Sequence, residues 1–203
     1  MAEASKCRKA LFLAKLLYSM KHKILILGPQ GSGKGTQAQL LAERTGLPAL
    51  SMGQLLRDEV ASESLLGQKI DSIINAGNLV SDDIALDVLK LRLQKDDAKE
   101  GYIVDGYPRN LAQYQTFSNF DIPTALLVIT VPKEETLKRL LKRAEIEGRL
   151  DDNEETILKR LAIYDQETAP LIEKYTEMGI AHMIDGVGTI EEVAERINKA
   201  LGV

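Results

Sequence analysis

Short apolar runs alternate with longer amphipathic stretches along most of the chain. The apolar runs lie at residues 23–27, 49–51, 102–105, 125–131 and 180–184. They are almost continuously hydrophobic, which is typical of strands that are covered by helices on both faces. Helices are predicted in the stretches between them. The pattern therefore predicts an α/β fold, a doubly wound sheet of five parallel strands flanked by helices.

In two regions, more than one helix is predicted between consecutive strands. Between the second and third strands the pattern predicts three helices, at 53–61, 65–76 and 82–94. Between the fourth and fifth strands, the charged stretch 133–175 is predicted to form two helices joined by residues 147–152. Inserts that follow the carboxyl ends of parallel strands commonly form substrate-binding segments and lids.

Two short motifs indicate helix starts. Thr189 and Glu192 have the spacing of a capping box, and they predict a final helix at 190–201. Ser51 and Gln54 have the same spacing, so we expect a second capping box there.

Residues 1–22 differ from the rest of the chain. Leu13, Leu16, Leu17 and Met20 recur at helical spacing among several lysines, which predicts a basic amphipathic extension. Such a helix would lie on a membrane or on the protein itself, or would be an appendage without function. A signal peptide is disfavoured, because Lys15 interrupts the apolar part and no small-residue cleavage site follows. Met20 is an alternative start of translation.

Composition narrows the functional class. A net charge of −4 over 203 residues argues against a protein that wraps nucleic acid. The single cysteine, Cys7, excludes a disulfide framework and a cysteine zinc site, and it fits a reducing, cytoplasmic setting. No apolar run approaches the length that spans a membrane.

The most informative motif is the glycine-rich stretch at 28–36, which reads GPQGSGKGT. A strand precedes it and a helix is predicted after it, which is the context of a phosphate-binding loop. Its backbone N–H groups and the helix N-terminus suit an anion, and Lys34 adds a point charge. Thr36 places a hydroxyl near Mg²⁺, and Asp105 at the end of the third strand can hold a water on that ion. The loop residues expected to bind phosphate are Gly31, Ser32, Gly33, Lys34, Gly35 and Thr36.

Arginines are concentrated in and beside the two inserts: Arg57, Arg109, Arg139, Arg143, Arg149 and Arg160. Phosphoryl transfer depends on charge neutralisation and alignment more than on covalent chemistry. If the acceptor is itself a phosphate, it is already mostly ionised near neutral pH and needs no general base. That fits a chain whose two histidines, His22 and His182, lie in no motif.

Several of these segments together resemble the adenylate kinase family of nucleoside monophosphate kinases. The matching segments are 28–36, 51–57, 77–80, 105–113, 148–152 and 159–161. The resemblance runs from residue 23 to the end of the chain and implies a P-loop NTPase-type fold. It also implies the reversible reaction MgATP + AMP ⇌ 2 ADP, with a substrate-binding insert at 51–80 and a short lid at 140–155. It implies a monomer, without the cysteine cluster that binds zinc in longer-lid relatives.

The same resemblance implies roles for individual residues. On the ATP side these are the loop with Lys34, Arg139 stacked on the base, Arg143 and Gly188. On the acceptor side they are Arg57 and Arg109 on the phosphate, Gln113 on the adenine edge, and Met52, Leu79, Val80 and Gly106 around them. Arg143, Arg149 and Arg160 would surround the transferred group, with Asp151 and Asp152 orienting them, and Arg149 and Arg160 would also bind AMP.

Three residues depart from the family pattern, and Met52 is the one that bears on acceptor selectivity. Gln30 stands where the family usually has proline, Met52 where it has threonine, and Gln54 where it has aspartate. Met52 leaves a UMP/CMP kinase of the same fold as an alternative, whereas the amide of Gln113 suits adenine. A catalytically silent nucleotide-binding regulator is a further alternative, disfavoured by the intact Lys34, Asp105 and arginines.

Overall fold

Strands and helices alternate in the computed structural model, which describes residues 22–75, 80–147 and 154–203. The strands are β1 (His22–Leu27), β2 (Ala49–Ser51), β3 (Gly101–Asp105), β4 (Ala125–Thr130) and β5 (Ala181–Asp185). The helices between β1 and β3 are α1 (Lys34–Thr45), α2 (Met52–Ala61), α3 (Leu65–Asn75) and α4 (Asp82–Leu93). Those after β3 are α5 (Leu111–Phe120), α6 (Lys133–Glu147), α7 (Glu154–Ile163), α8 (Ala169–Glu177) and α9 (Ile190–Leu201).

The five strands form one parallel sheet in the order β2-β3-β1-β4-β5, as predicted. Because all strands point the same way, their carboxyl ends meet at one edge of the sheet. Ile26 of β1 pairs with Asp105 of β3, and Leu27 pairs with Val128 of β4. The loops that follow β1, β3 and β4 therefore come together at this edge.

Apolar side chains alternate between the two faces of the central strands and form a core on each side. Leu25 and Leu27 belong to the cluster covered by α4, α5 and α8, while Ile24 and Ile26 belong to the one covered by α1 and α9. Each fully buried leucine or isoleucine contributes about 1.5–3 kcal/mol. Burial on both faces explains why the strands lack the polar alternation of a half-exposed sheet.

The region between β4 and β5 departs from prediction. The second predicted helix is divided into α7 and α8 by a π-helical turn at Tyr164–Thr168. Pro170 lies in the first turn of α8 and cannot donate a backbone hydrogen bond, and the N–H of Ala169 reaches back to the carbonyl of Tyr164. A single widened turn absorbs the interruption, so the two helices remain continuous.

One of the two predicted capping boxes forms. The Thr189 hydroxyl accepts from the Glu192 N–H at 3.2 Å, and the Glu192 carboxylate accepts from the Thr189 N–H at 2.9 Å. The prediction at Ser51 is wrong, because its side chain makes no capping hydrogen bond. The amide of Gln54 donates instead to Asp58 at 2.7 Å and accepts from Arg57 at 2.6 Å.

Part of the predicted organisation lies outside the described residues. This holds for residues 1–21 of the extension, 76–79 of the substrate-binding insert and 148–153 of the short lid. Within the described ranges, no helix is long and apolar enough to cross a membrane.

Candidate functional site

The glycine-rich loop connects β1 to α1 at the carboxyl edge of the sheet. Gly28 has φ +152°, and a Cβ there would collide with the carbonyl oxygen of Ile129 on β4. Gly33, at φ +91°, caps the N-terminus of α1 in a conformation that glycine adopts readily. The loop therefore packs closely on β4 and presents the positive end of α1 to any anion above it.

Lys34 is the first residue of α1, and its ammonium group folds over the loop. Its Nζ donates to the carbonyl oxygen of Pro29 at 2.9 Å. The lysine is thus held at the loop, where a phosphate can replace the carbonyl as its partner. Thr36 lies two residues further on and is exposed.

Asp105 ends β3 beside this loop and has an unsatisfied oxygen. Within the described part of the chain, its Oδ1 is buried and has no hydrogen-bond partner. Burial raises the pKa of Asp105, while the nearby charges of Lys34 and Arg109 act in the opposite direction. A Cβ added at Gly35 would lie 3.5 Å from Oδ2, so the start of α1 lies close to this carboxylate. A carboxylate oxygen without a donor beside a phosphate loop fits a water bound to Mg²⁺.

Arg109 lies near this carboxylate, and Arg160 lies near Arg109. The Arg109 Nε donates to the carbonyl of Gly106 at 2.7 Å, and the Thr168 hydroxyl donates to the Arg109 carbonyl at 2.6 Å. Desolvation lowers the pKa of Arg109, Asp105 opposes this, and the positive charge of Arg160 lowers it further. Arg109 stays charged at neutral pH despite this shift, so the site is prepared to attract an anion.

Arg139 and Gly188 lie on the β5 side of the loop. The two terminal nitrogens of Arg139 are each 3.2 Å from the carbonyl of Gly186, and its Nε donates to Glu135 at 2.9 Å. Gln37 joins α1 to the start of α9, because its amide donates to the carbonyl of Ile190 at 2.9 Å.

The predicted acceptor residues surround the segment after β3. Gln113 is 9% exposed and accepts a hydrogen bond from the Arg109 N–H at 2.7 Å. Arg57 lies on α2, Val80 is half-buried before α4, and Gly106 adopts φ +76°. Met52 is 3% exposed and packs in the core, so its side chain offers almost no surface to a ligand.

The remaining predicted residues cannot be placed. The side chain of Arg143 and the residues Leu79, Arg149, Asp151 and Asp152 lie outside the described part of the structure.

The sequence analysis missed two residues that the structure brings into the site. Asp82 accepts from the Gln113 amide at 2.6 Å, although the two residues are far apart in the chain. A carboxylate at a helix start is so common that it gave no signal. Gln30 lies 3.5 Å from Nη1 of Arg160, so the residue that replaces the usual proline contacts one of the predicted arginines.

A phosphate-binding loop, a buried carboxylate and clustered arginines at the carboxyl edge of a parallel sheet define a nucleotide-binding phosphotransferase of the P-loop class. Comparisons with known proteins identify the family. The family model described as adenylate kinase matches residues 26–180. The chain is 43% identical over 184 residues to the adenylate kinase of Thermobifida fusca, covering 88% of this chain and 97% of that protein.

Two further relatives give the same result. Identity is 46% over 185 residues with the adenylate kinase of Xanthomonas oryzae, covering 89% of this chain and 99% of that protein. It is 47% over 189 residues with that of Prochlorococcus marinus, covering 91% and 99%. The chain belongs to the adenylate kinase family.

Proposed function

We propose that this chain catalyses reversible transfer of a phosphoryl group from ATP to AMP, giving two molecules of ADP. Membership of the adenylate kinase family supports this activity. The observation that carries it to particular residues is the cluster of Asp105, Arg109 and Arg160 beside the glycine-rich loop. Two polyanions must be brought together there, and arginine forks neutralise and orient phosphates better than any other side chain.

On the donor side, Lys34 would exchange the Pro29 carbonyl for the outer phosphates of ATP. The backbone N–H groups of residues 31–36 would hold the same phosphates, and Arg139 would stack on the base. Asp105 and Thr36 would hold Mg²⁺ through its water and phosphate ligands. When bound, Mg²⁺ neutralises charge that develops on the phosphate oxygens during transfer.

On the acceptor side, Arg57 and Arg109 would bind the phosphate of AMP. A phosphate monoester has its second pKa at about 6, so its oxygen is already a nucleophile near neutral pH and no general base is needed. Arg160 would contact the AMP phosphate and stabilise the transferred group as its charge spreads. Arg143 and Arg149 are proposed to stabilise the same group, with Asp151 and Asp152 orienting them and Leu79 lining the acceptor site.

We further propose how the inserts move, the oligomeric state and location of the chain, and the residue that reads the base. The insert at 51–80 and the short lid at 140–155 would close over the substrates and exclude water. The chain would act as a monomer. It would work in the cytoplasm. Gln113 would read the adenine edge of AMP, which favours AMP over a pyrimidine acceptor.

The direct test measures ADP formation from ATP with AMP, CMP, UMP and GMP in parallel, with Mg²⁺ and with EDTA. We expect Mg²⁺-dependent turnover with AMP and little with the others. Turnover with CMP or UMP would instead indicate a pyrimidine kinase of the same fold. ATP binding without turnover on any acceptor would indicate a silent regulator.

The role of Arg109 gives a second test. Arg109→Ala should lower kcat/KM for AMP by roughly 100-fold or more, since removing one preorganised donor costs about that much. The hydrogen bonds of the Arg109 main chain to Gln113 and Thr168 remain possible in the variant, so the fold should persist. Arg44→Ala, at the exposed end of α1, is the matched control. Near-normal turnover in Arg109→Ala would contradict the assignment.

A further inference from the structure

Both ends of the Gln113 amide are held by the protein. Asp82, the first residue of α4, accepts from Nε2 of Gln113 at 2.6 Å. The Arg109 N–H donates to Oε1 of Gln113 at 2.7 Å. Asn110 connects the same groups, because its Nδ2 lies 3.2 and 3.3 Å from the two Asp82 oxygens and its Oδ1 accepts from the Gln113 N–H at 2.8 Å.

The chemistry of the two partners determines which way the amide points. An ionised carboxylate only accepts hydrogen bonds, so it must face the NH₂ group. A backbone N–H only donates, so it must face the carbonyl oxygen. If the amide turned over, both hydrogen bonds would be lost and its oxygen would face a carboxylate oxygen. The orientation of Gln113 is therefore locked by Asp82 and Arg109 together.

The locked amide retains one N–H and one lone pair that no described residue uses. Adenine presents an amino donor beside a ring-nitrogen acceptor. A 6-oxopurine, such as hypoxanthine, presents the reverse, a carbonyl acceptor beside a ring N–H. An amide that could turn over would fit either base. An amide that cannot turn over fits only one of them, and the mismatched base leaves polar groups unpaired.

We propose that Asp82 is a specificity-determining positioning residue, which fixes the polarity of Gln113 and thereby excludes 6-oxopurine monophosphates from the acceptor site. This inference rests on the proposed base-reading role of Gln113. Asp82 itself touches no substrate and acts only through the amide that it holds.

The test compares AMP with IMP as acceptors, because the two differ at the base only in this donor and acceptor pattern. In Asp82→Asn the new amide can accept from Gln113 or donate to it, so only the Arg109 N–H still opposes the turned-over orientation. We expect the ratio of kcat/KM for AMP to that for IMP to fall at least tenfold. We expect kcat/KM for IMP and the KM for AMP to rise, while the KM for ATP stays unchanged.

Asp83→Asn is the matched control. It removes the same charge from the first turn of α4, at an exposed position, so it reproduces any loss of favourable interaction with the helix dipole. Its AMP-to-IMP ratio should equal that of the unmodified chain. A fall of similar size in Asp83→Asn would overturn the positioning role, since helix-end charge would then explain the effect.

Gln113→Ala tests the proposed base-reading role of Gln113 separately from the positioning role of Asp82. If selectivity collapses in Gln113→Ala but stays within twofold of the original in Asp82→Asn, Gln113 reads the base and the inference about Asp82 is wrong. If selectivity survives in Gln113→Ala, base reading by Gln113 fails and the inference fails with it. Collapse in both, with the Asp83→Asn ratio unchanged, is the expected result.

Discussion

The carboxylate of Asp105 is held in an unfavourable state by its surroundings. Its Oδ1 is buried without a hydrogen-bond partner in the described structure, although a buried charged acceptor normally has one. Leaving such a group unsatisfied costs about 1–3 kcal/mol or more. Under the proposed function this oxygen would accept from a water bound to Mg²⁺, which would explain why a position unfavourable for stability is occupied by a carboxylate.

Asp105→Asn should therefore stabilise the ligand-free chain while it impairs catalysis. The raised pKa of Asp105 means that the folded state binds this proton more tightly than the unfolded state does. The resulting penalty is small below the ordinary aspartate pKa of about 3.9, grows as pH rises through the raised value, and is complete at neutral pH. The variant should thus have a higher Tm at pH 7, by about 2–4 °C per kcal/mol gained, and this gain should shrink towards pH 4.

Thermal unfolding at several pH values checks this expectation, with the exposed Asp96→Asn as control. Steady-state kinetics should show kcat with MgATP reduced at least tenfold, corresponding to about 1.4 kcal/mol of lost transition-state stabilisation. A Tm at pH 7 equal to or below that of the unmodified chain would contradict the argument.

At the scale of elements, the glycine-rich loop shows how closely backbone segments pack at this edge. Gly28, directly after β1, combines φ +152° with direct contact to β4, whereas Gly46, directly after α1, has φ +74° and open space around its Cβ position. Both need a conformation that glycine tolerates, but only Gly28 also needs the absence of a side chain. Comparison of Gly28 with Gly46 therefore separates the cost of backbone strain from the cost of a steric clash.

Gly28→Ala should destabilise the chain by about 2–4 kcal/mol, through backbone strain and overpacking against the Ile129 carbonyl. Gly46→Ala should cost only about 1–2 kcal/mol, the strain of a left-handed residue. Urea denaturation measures both values. The KM for ATP should rise in Gly28→Ala alone, because displacement of the loop would disturb the backbone N–H groups that are proposed to bind the ATP phosphates. If both variants lost the same free energy of unfolding, the loop would be able to move away from β4 without an energetic penalty.

The same elements show what sequence patterns could and could not predict. The strands were predictable, because runs such as 125–131 are apolar on both faces and admit few other structures. The π-helical turn at Tyr164–Thr168 was not, since a proline near a helix start usually begins a new helix without distorting the old one. The Asp82–Gln113 contact was not predictable either, because it joins two helix starts that are brought together only by the folded sheet.

For the whole molecule, the notable feature is a cationic site in a chain of net charge −4. Lys34 and Arg109 lie beside Asp105, and Arg160 lies beside Arg109 and Gln30, so positive charge is concentrated at one edge of the sheet. Burial is the main cause of the lowered pKa of Arg109, Asp105 opposes it, and repulsion by the positive charge of Arg160 lowers it further. The ligand-free fold tolerates this repulsion, and a bound phosphate relieves it.

Arg160→Ala should consequently leave the ligand-free chain as stable as before, or slightly more stable, while it removes much of the stabilisation by nucleotides. A ligand at 100 times its Kd stabilises the folded state by about 2.7 kcal/mol. For a chain of this size that corresponds to a rise in Tm of about 5–11 °C. In Arg160→Ala, a Kd weakened tenfold would reduce the stabilisation at the same AMP concentration to about half, because each factor of ten is worth about 1.4 kcal/mol.

Lys159→Ala, the exposed neighbour on α7, should retain the full shift. A large loss of ligand-free Tm in Arg160→Ala would show that the arginine supports the fold, and an undiminished shift with AMP would show that it does not meet the acceptor phosphate.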